Sequence, residues 1–207
     1  MGLFDFALRP GQRFNKEELR VLDQNLNSYF NVLQGNVVVL GAGKEDYKKV
    51  LHSADTVLHT DLTKTGYVDK VADAHDLPFQ DCVYDSVVAI EVFEHLQMPY
   101  IAAREIYRIL KFGGVALISI PFMFRVHGDP FDFQRLTESG LAELFNQFSD
   151  VSIMPFGGRL HVISDILTSY KKPFAALRIL NHFITFGVLA RIASRDVPSG
   201  YILKLIK

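Results

Sequence analysis

The chain has 207 residues, of which 49% are hydrophobic, and its formal net charge at pH 7 is −1. This length is sufficient for one well-packed domain, and the apolar fraction excludes an intrinsically disordered protein. The charge gives no general electrostatic reason to bind nucleic acid. The single cysteine, Cys82, cannot form an internal disulfide, and no cysteine or histidine cluster has the spacing of a zinc site, so we predict no metal site. Since no secretory signal is recognisable, we expect a cytoplasmic protein.

The first predicted element is a helix over residues 15–34, because leucine and aromatic side chains recur there at helical spacing. Asn15 can cap its start and Glu18 lies three residues later, an arrangement that satisfies free N–H groups. We expect such a helix to cover the edge of a sheet or to close a pocket.

The stretch NVVVLGAGK at residues 36–44 predicts a buried strand over 37–40 that ends at glycines. Because Gly41 and Gly43 have no side chain, a ligand can approach the backbone between them. The pattern alone is as typical of a plain tight turn as of a cofactor loop. A helix is predicted to begin at Glu45 and to continue to Leu51.

Asp61 follows the next short apolar pair, at residues 57–58. An acidic residue about 20 positions after a glycine loop can hold the hydroxyls of an adenosine ribose. The alternative is that Asp61 caps a helix or forms a turn.

Three further elements alternate along the chain. They are a buried strand over 84–90, a helix over 99–111 that Pro99 opens and Gly113-Gly114 ends, and a strand over 115–120. A helix over 137–148, capped by Thr137, follows. Strands that alternate with helices in this way predict an α/β fold with a parallel sheet wrapped by helices.

Five motifs carry a resemblance to a known family: VVVLGAG, the acid of HTD, ADAHDLPFQD, YDSVVAIEVFEHL and AAREIYRILKFGGVALISIP. With them, residues 37–148 resemble the class I S-adenosylmethionine-dependent methyltransferases, in particular the small-molecule branch called methyltransferase type 11. The resemblance implies a Rossmann-like three-layer sandwich, in which helices cover both faces of a seven-stranded, mostly parallel sheet with an antiparallel last strand. Residues 151–154 and 201–206 are the candidates for the final antiparallel pair.

The resemblance also implies one methyltransferase-like domain over residues 1–207. Residues 1–35 would form an N-terminal helical cap, 36–155 the cofactor-binding core, 156–199 a helical lid and 200–207 the last strand. The implied cofactor is S-adenosylmethionine, and the implied product is S-adenosylhomocysteine.

By position, the family's cofactor contacts fall at the ends of the predicted strands. The glycine loop would pass the methionine part of the cofactor, Asp61 would hold the ribose, Asp73 the adenine amino group, and Glu91 would line the sulfonium side. The complete implied set is Gly41, Ala42, Gly43, Asp61, Leu62, Asp73, Ala74, His75 and Glu91.

Two positions depart from the family pattern. The family usually has an acid two residues before the first glycine, where this chain has Val39, and Glu45 replaces the family's third glycine. The first change removes a polar contact at the methionine end of the cofactor. Glu45 either stands in part for the missing acid or weakens the site.

The acceptor side is predicted in the polar and aromatic segment PFMFRVHGDPFDFQRLT at residues 121–137. His127 is the predicted general base, because the pKa of an imidazole lies near working pH. The alternatives are that His127 bonds to the backbone and that ion pairs of Asp132 with Arg135, or of Asp129 with Arg125, pin the loop. A metal site made of His127, Asp129 and Asp132 is disfavoured. The predicted substrate-side residues are His95, for which a helix cap is the alternative, Phe122, Arg125, Asp129, Asp132 and Arg135.

Residues 156–199 support three interpretations: a lid over the substrate pocket, a homodimer contact, or an amphipathic surface that touches membrane lipid. Segment 171–195 is locally basic, and its apolar stretch is too interrupted for a membrane span. The lid is favoured, so we expect a partly apolar or anionic acceptor, which includes a lipid-linked or glycan-linked one.

Three functional classes remain. The favoured one is methyl transfer from S-adenosylmethionine to an oxygen or nitrogen of a small-molecule acceptor. The second is a non-catalytic domain that binds an adenosyl ligand or a partner. A dinucleotide-dependent oxidoreductase is disfavoured, because Asp46 occupies the third glycine position of the dinucleotide motif. A nucleic-acid acceptor is also disfavoured, since no basic stripe lies outside the carboxy-terminal segment.

Overall fold

The computed structural model describes residues 26, 28–128, 131–168 and 194–207, and it contains a seven-stranded sheet. The strands lie in the order β3-β2-β1-β4-β5-β7-β6, and β7 is antiparallel to both of its neighbours while the other pairs are parallel. The predicted fold class is therefore confirmed. The strands are β1 (Gly35–Leu40), β2 (Ala54–Asp61), β3 (Lys70–Val71), β4 (Tyr84–Ile90), β5 (Leu110–Pro121), β6 (Asp150–Phe156) and β7 (Gly200–Ile206).

The strand order reverses between β1 and β4. From β1 the chain adds β2 and β3 on one side, and it then returns to place β4 and β5 on the other side. The carboxyl ends of β1 and β4 therefore lie next to each other, at the point where open α/β sheets bind their ligands.

Helices cover both faces of the sheet. Alternate residues of β1 enter two separate cores: Val38 packs in the first, and Val37 and Val39 in the second. The first core contains α1 (Pro99–Ile109) and α2 (Glu138–Leu144), and a third helix, α3, spans Arg159–Thr168. The second core contains helical residues of the predicted N-terminal helix, Leu26 and Phe30. The predicted end of that helix at residue 34 is wrong, because the helix ends at Phe30 and a turn follows, while residues 15–25 and 27 lie outside the described residues.

The predicted helix from Glu45 to Leu51 is wrong. The chain forms only a 3-10 turn, Tyr47–Lys49, before β2 begins at Ala54. The N–H of Tyr47 donates to Nε2 of the buried His59 at 3.0 Å, and the Asp46 carboxylate accepts from the N–H of Lys48 at 3.3 Å. A contact with β2 therefore replaces the next helical turn.

The predicted boundary between α1 and β5 is also wrong. The helix ends at Ile109 and the strand begins at once, so Gly113-Gly114 lies within β5 instead of ending the helix. The register with β4 is irregular here, and the Lys111 Nζ donates to both carboxylate oxygens of Asp85 at 2.8 Å. A Cβ on Gly114 would lie 2.8 Å from the Lys111 carbonyl oxygen, so only glycine fits this irregular segment.

The carboxy-terminal elements agree better with prediction. The antiparallel pair expected at 151–154 and 201–206 forms as β6 and β7. The Thr137 hydroxyl accepts from the N–H of Gly140 at 3.2 Å and caps α2 as predicted, although α2 ends at Leu144. Residues 169–193 lie outside the described residues, and so does most of the 171–195 segment considered for membrane contact. Within the described ranges, no helix has the length and apolarity needed to cross a membrane.

Candidate functional site

The loop after β1 contains two glycines in the left-handed backbone region, Gly41 at φ +64° and Gly43 at φ +58°. A Cβ on Gly41 would lie 2.6 Å from Cγ2 of Val92, so this glycine lets the ends of β1 and β4 pack closely. A Cβ on Gly43 would meet no atom of the described residues within 4 Å. Gly43 therefore presents bare backbone to the end of the sheet, which fits a loop that passes close to a cofactor.

Asp61, at the end of β2, holds this loop in place. Its Oδ2 accepts from the N–H of Gly43 at 3.0 Å, and its Oδ1 accepts from the N–H of Thr63 at 3.1 Å. The N–H of Ala42 also donates to the carbonyl oxygen of Thr60 at 2.9 Å. A carboxylate has about four acceptor sites, so capacity for ribose hydroxyls remains. Leu62 is exposed beside it.

Asp73 and His75 form a fixed pair beyond β3. Asp73 Oδ1 accepts from the N–H of His75 at 2.9 Å and lies 2.7 Å from its Nδ1. Met98 N–H donates to His75 Nε2 at 3.4 Å, so Nδ1 carries the proton that bonds to Asp73. Partial burial raises the pKa of Asp73, but the two hydrogen bonds from His75 outweigh it and the pKa is lowered. Ala74, between them, packs against the first core.

Glu91 follows β4 directly and has a φ of +55°, a strained value for a residue with a side chain. Its N–H donates to the Ser119 carbonyl oxygen at 3.0 Å, and its Oε1 accepts from the Ser119 hydroxyl at 2.7 Å. Ser119, fully buried on β5, thus orients Glu91 toward the end of the sheet. Ser119 was not among the predicted site residues, because a serine within a strand carries no local signal of this role.

We call the loop Gly41–Gly43 together with Asp61, Asp73 and Glu91 the cofactor edge. All four parts lie at the carboxyl ends of neighbouring parallel strands, as predicted. The two departures from the family pattern have different positions. Val39 is fully buried in the second core, whereas Glu45 is half-buried. Burial raises the pKa of the Glu45 carboxyl, and the positive charge of Lys49 offsets only part of this rise.

The segment after β5 lies against the turn Phe93–His95 that follows β4. The N–H of Phe133 donates to the Glu94 carbonyl oxygen at 2.8 Å, and the Gln134 side chain donates to the Phe93 carbonyl oxygen at 3.0 Å. Phe122 is directed elsewhere, since its ring packs 5.6 Å from that of Tyr201. Of the predicted substrate-side residues, the structure brings His95, Arg125, Asp132 and Arg135 together around the predicted base His127, and Asp129 lies outside the described residues.

The predicted ion pair of Asp132 with Arg135 is present and pins this segment. Arg135 donates through Nη2 to Asp132 Oδ2 at 2.7 Å, and the N–H of His127 donates to the same oxygen at 2.8 Å. Burial raises the pKa of Asp132, but these hydrogen bonds and the Arg135 charge lower it further than burial raises it. The Arg125 guanidinium stacks over the Phe124 ring, 5.6 Å from the ring centroid. The backbone carbonyl oxygen of Arg125 lies 3.3 Å from His127 Nδ1.

His95 and His127 meet at a buried carboxylate, Glu94, and we call these three residues the Glu94 cluster. Oε1 of Glu94 lies 3.4 Å from His95 Nε2 and 3.7 Å from His127 Nε2. The two imidazole rings pack edge to face, with centroids 5.1 Å apart. Glu94 was not among the predicted site residues, although a charged residue directly after the apolar pair Val92-Phe93 was a signal that could have identified it.

Residues 39–118 match the model of a family described as a methyltransferase domain. This range contains the glycine loop, Asp61, Asp73 and Glu91, and thus the whole cofactor edge. No curated protein gives a significant match to the chain.

Solved structures with the same fold include two enzymes described as S-adenosylmethionine-dependent methyltransferases. The one from Archaeoglobus fulgidus is 18% identical, with 92% of each chain covered and a TM-score of 0.59. The one from Mesorhizobium loti is 13% identical, with 88% of this chain and 96% of the other covered and a TM-score of 0.58. The cyclase SpnF also matches, at 16% identity, with 99% and 90% covered and a TM-score of 0.57. Residues 39–118 therefore match a methyltransferase domain, and the chain as a whole has the fold of structures described as S-adenosylmethionine-dependent methyltransferases.

Proposed function

We propose that this protein transfers the methyl group of S-adenosylmethionine to an oxygen or nitrogen atom of a small-molecule acceptor. One observation carries the proposal: three carboxylates and a bare glycine loop lie together at the cofactor edge, around the switch point between β1 and β4. A sulfonium and an ammonium group are both cations, and carboxylates at the strand ends favour them electrostatically.

Each residue of the cofactor edge has a separate task in this proposal. Asp61 orders the glycine loop through Gly43 and accepts from the ribose hydroxyls with its remaining acceptor sites. Asp73, fixed by His75, accepts from the adenine amino group. Glu91, oriented by Ser119, faces the methionine and sulfonium side. When bound, the cofactor supplies an electrophilic methyl carbon, to which an acceptor lone pair bonds as the carbon–sulfur bond breaks and sulfur keeps the electron pair.

The acceptor side supplies apolar surface and a proton acceptor. Phe131 and Phe133 are exposed, with ring centroids 5.6 Å apart, and they offer contacts to a partly apolar acceptor. The predicted base, His127, has its Nδ1 beside the Arg125 carbonyl oxygen, which can only accept. Nδ1 therefore carries the proton, and Nε2 keeps the lone pair that a base needs.

The cofactor assignment is tested by thermal unfolding with S-adenosylhomocysteine. Ligand at 100 times its dissociation constant should stabilise the protein by about 2.7 kcal/mol if it binds only the native state. Asp61→Ala should abolish most of this shift. Asp55→Ala is the matched control, because Asp55 is exposed near the start of the same strand, away from the cofactor edge. No shift in the wild type at millimolar ligand, or equal shifts in both variants, would contradict the assignment.

A second candidate function is a domain that binds the adenosyl ligand without methyl transfer. The two departures, Val39 and Glu45, favour it, because Val39 lies on β1 just before the glycine loop and Glu45 lies just after it, where the family usually has an acid and a glycine. The matching structure of the cyclase SpnF shows that the fold is not restricted to proteins described as methyltransferases. The two candidate functions are distinguished by incubating the protein with a small-molecule extract and a cofactor that carries a label in its methyl group. Labelled acceptor supports transfer, whereas ligand binding with no labelled acceptor supports the second candidate.

A further inference from the structure

We propose that Glu94, His95 and His127 form a binding site for one divalent transition-metal ion. Two imidazoles and one carboxylate are a ligand set that both Zn²⁺ and Fe²⁺ take in proteins. The site lies outside the cofactor edge and does not depend on methyl transfer, so it can be tested with metal alone. It also differs from the sequence prediction, in which no metal site was expected.

The distances within the Glu94 cluster suit a common ion. A tetrahedral zinc site with bonds of about 2.0–2.1 Å places its ligand atoms about 3.4 Å apart. Glu94 Oε1 lies 3.4 Å from His95 Nε2 and 3.7 Å from His127 Nε2. All three ligand atoms lie within 4.8 Å of one another, so zinc would draw no pair together by more than about 1.4 Å.

The hydrogen bonds of the two imidazoles fix which nitrogens are available. His95 Nδ1 bonds to the carbonyl oxygen of Phe131, and His127 Nδ1 lies 3.3 Å from the carbonyl oxygen of Arg125. A carbonyl oxygen only accepts, so both Nδ1 atoms carry protons and the neutral rings have their lone pairs on Nε2. Both lone pairs then face the Glu94 carboxylate. Three electron-donating atoms around one point repel each other unless a cation lies between them.

The same bonds are those that support metal-binding histidines elsewhere. A ligating histidine almost always donates its other N–H to a backbone carbonyl or a carboxylate, which fixes the ring. His95 has the Phe131 carbonyl in this role. His127 has the Arg125 carbonyl, with Asp132 Oδ2 at 3.4 Å from the same nitrogen.

Burial of Glu94 provides an independent observation. The residue is 0% exposed, and within the part of the chain that the structure describes, neither of its carboxylate oxygens has a hydrogen-bond partner. A buried carboxylate without such partners is costly, and a positive charge is needed to offset the lost hydration. A metal ion between the three ligands supplies that charge.

The backbone of the cluster is well supported. Phe93, directly before Glu94, is buried with its ring centroid 5.2 Å from that of Phe145, and the Phe133 N–H holds the Glu94 carbonyl. Three protein ligands leave a coordination position for water or an acceptor oxygen. A metal-bound His127 cannot accept a proton and so cannot act as the general base. With metal present, the ion would instead assist loss of the acceptor proton by lowering the pKa of a bound hydroxyl.

The test begins with the full chain, from which a chelator has removed bound metal. The chain is titrated with Co²⁺ while visible absorption is measured, and separately with Zn²⁺ in a calorimeter. We expect one ion per chain. Glu94→Gln and His95→Asn should each weaken binding by more than about 100-fold, because losing a ligand costs more than losing a supporting residue. Asp132→Asn, which removes a support of His127, should weaken binding by about 10–100-fold.

His52→Asn is the matched control, because His52 is exposed and far from the Glu94 cluster in the fold. It should bind metal as the wild type does. The proposal is overturned if neither ion binds saturably at one per chain, or if folded His95→Asn retains wild-type affinity. Should Glu94→Gln not fold, His95→Asn decides, with S-adenosylhomocysteine binding as a check on its fold. Because that ligand is measured separately, failure of the metal site and failure of the cofactor assignment give different results.

Discussion

The cofactor edge and the Glu94 cluster differ in how their charged groups are satisfied. Asp61, Asp73 and Glu91 each accept hydrogen bonds from nearby N–H or O–H donors of the protein itself. In the Glu94 cluster, a buried carboxylate and two imidazole nitrogens face one another, and the described residues offer the carboxylate no such donor. The cofactor edge is therefore ordered before a ligand arrives, whereas the Glu94 cluster needs a cation to complete it.

This difference follows from where the residues lie. The acids of the cofactor edge are at strand ends, where free backbone N–H groups of the next turn are available. Glu94 lies within a short turn whose own backbone groups are used to hold the segment after β5. A carboxylate is stable in the first position by local hydrogen bonds and in the second only through a partner of opposite charge.

The largest expected effect comes from Val39→Asp, which restores the family's usual acid. Val39 is fully buried in the second core, so the new carboxylate would resemble Glu94 without its histidines. We expect a loss of about 3–5 kcal/mol in the free energy of unfolding, measured by denaturant titration. Val39→Ala separates the lost volume from the added charge. If Val39→Asp is as stable as the wild type, burial at this position is not what excludes an acid.

A smaller effect is expected for Glu91→Gln, which keeps the side-chain shape and an oxygen for the Ser119 hydroxyl but removes the charge. The sulfonium of S-adenosylmethionine is positive and the sulfur of S-adenosylhomocysteine is neutral. Affinity for the first should therefore fall about tenfold more than affinity for the second, a difference of about 1.4 kcal/mol. Calorimetric titration of both ligands measures the ratio. An equal loss for both would assign Glu91 a structural role.

The smallest effect concerns Glu105, a satisfied acid that supports the chain beyond Asp73. Hydrogen bonds from Arg108, and one from the N–H of Leu77, lower the pKa of Glu105 against the effect of burial, while nearby Asp81 raises it slightly. Because the folded pKa lies below the unfolded one, the stabilisation is present above about pH 4.3 and is lost as the pH falls through the folded pKa.

Glu105→Gln should therefore lose about 1 kcal/mol of stability at pH 6 and progressively less toward pH 3. Unfolding in denaturant at several pH values measures this. Asp55→Asn is the matched control, because it also replaces a carboxylate by an amide and the Asp55 side chain is exposed. The prediction would be contradicted if the difference in free energy of unfolding between wild type and Glu105→Gln grew toward low pH.

Much of the fold was predictable because its signals are local. The continuously apolar strands β1, β4 and β5, the helix opened by Pro99 and the cap at Thr137 each show in a few neighbouring residues. Boundaries were less predictable where contacts from distant strands decide them. The helix expected after Glu45 is replaced by a turn because His59, on β2, takes the N–H of Tyr47. The end of α1 moved because Asp85, on β4, binds Lys111 within β5.

The sequence by itself determined the fold class, and it predicted a glycine loop and acids at strand ends because these occupy regular places along the chain. Only the tertiary structure decided what Asp61, Asp73 and Glu91 bond to. It also brought Glu94 and His95, which follow β4, against His127, which follows β5. The carbonyl groups that set the imidazole protons belong to the segment after β5. Such a cluster has no local pattern, because its chemistry arises from atoms that only folding places within reach of one another.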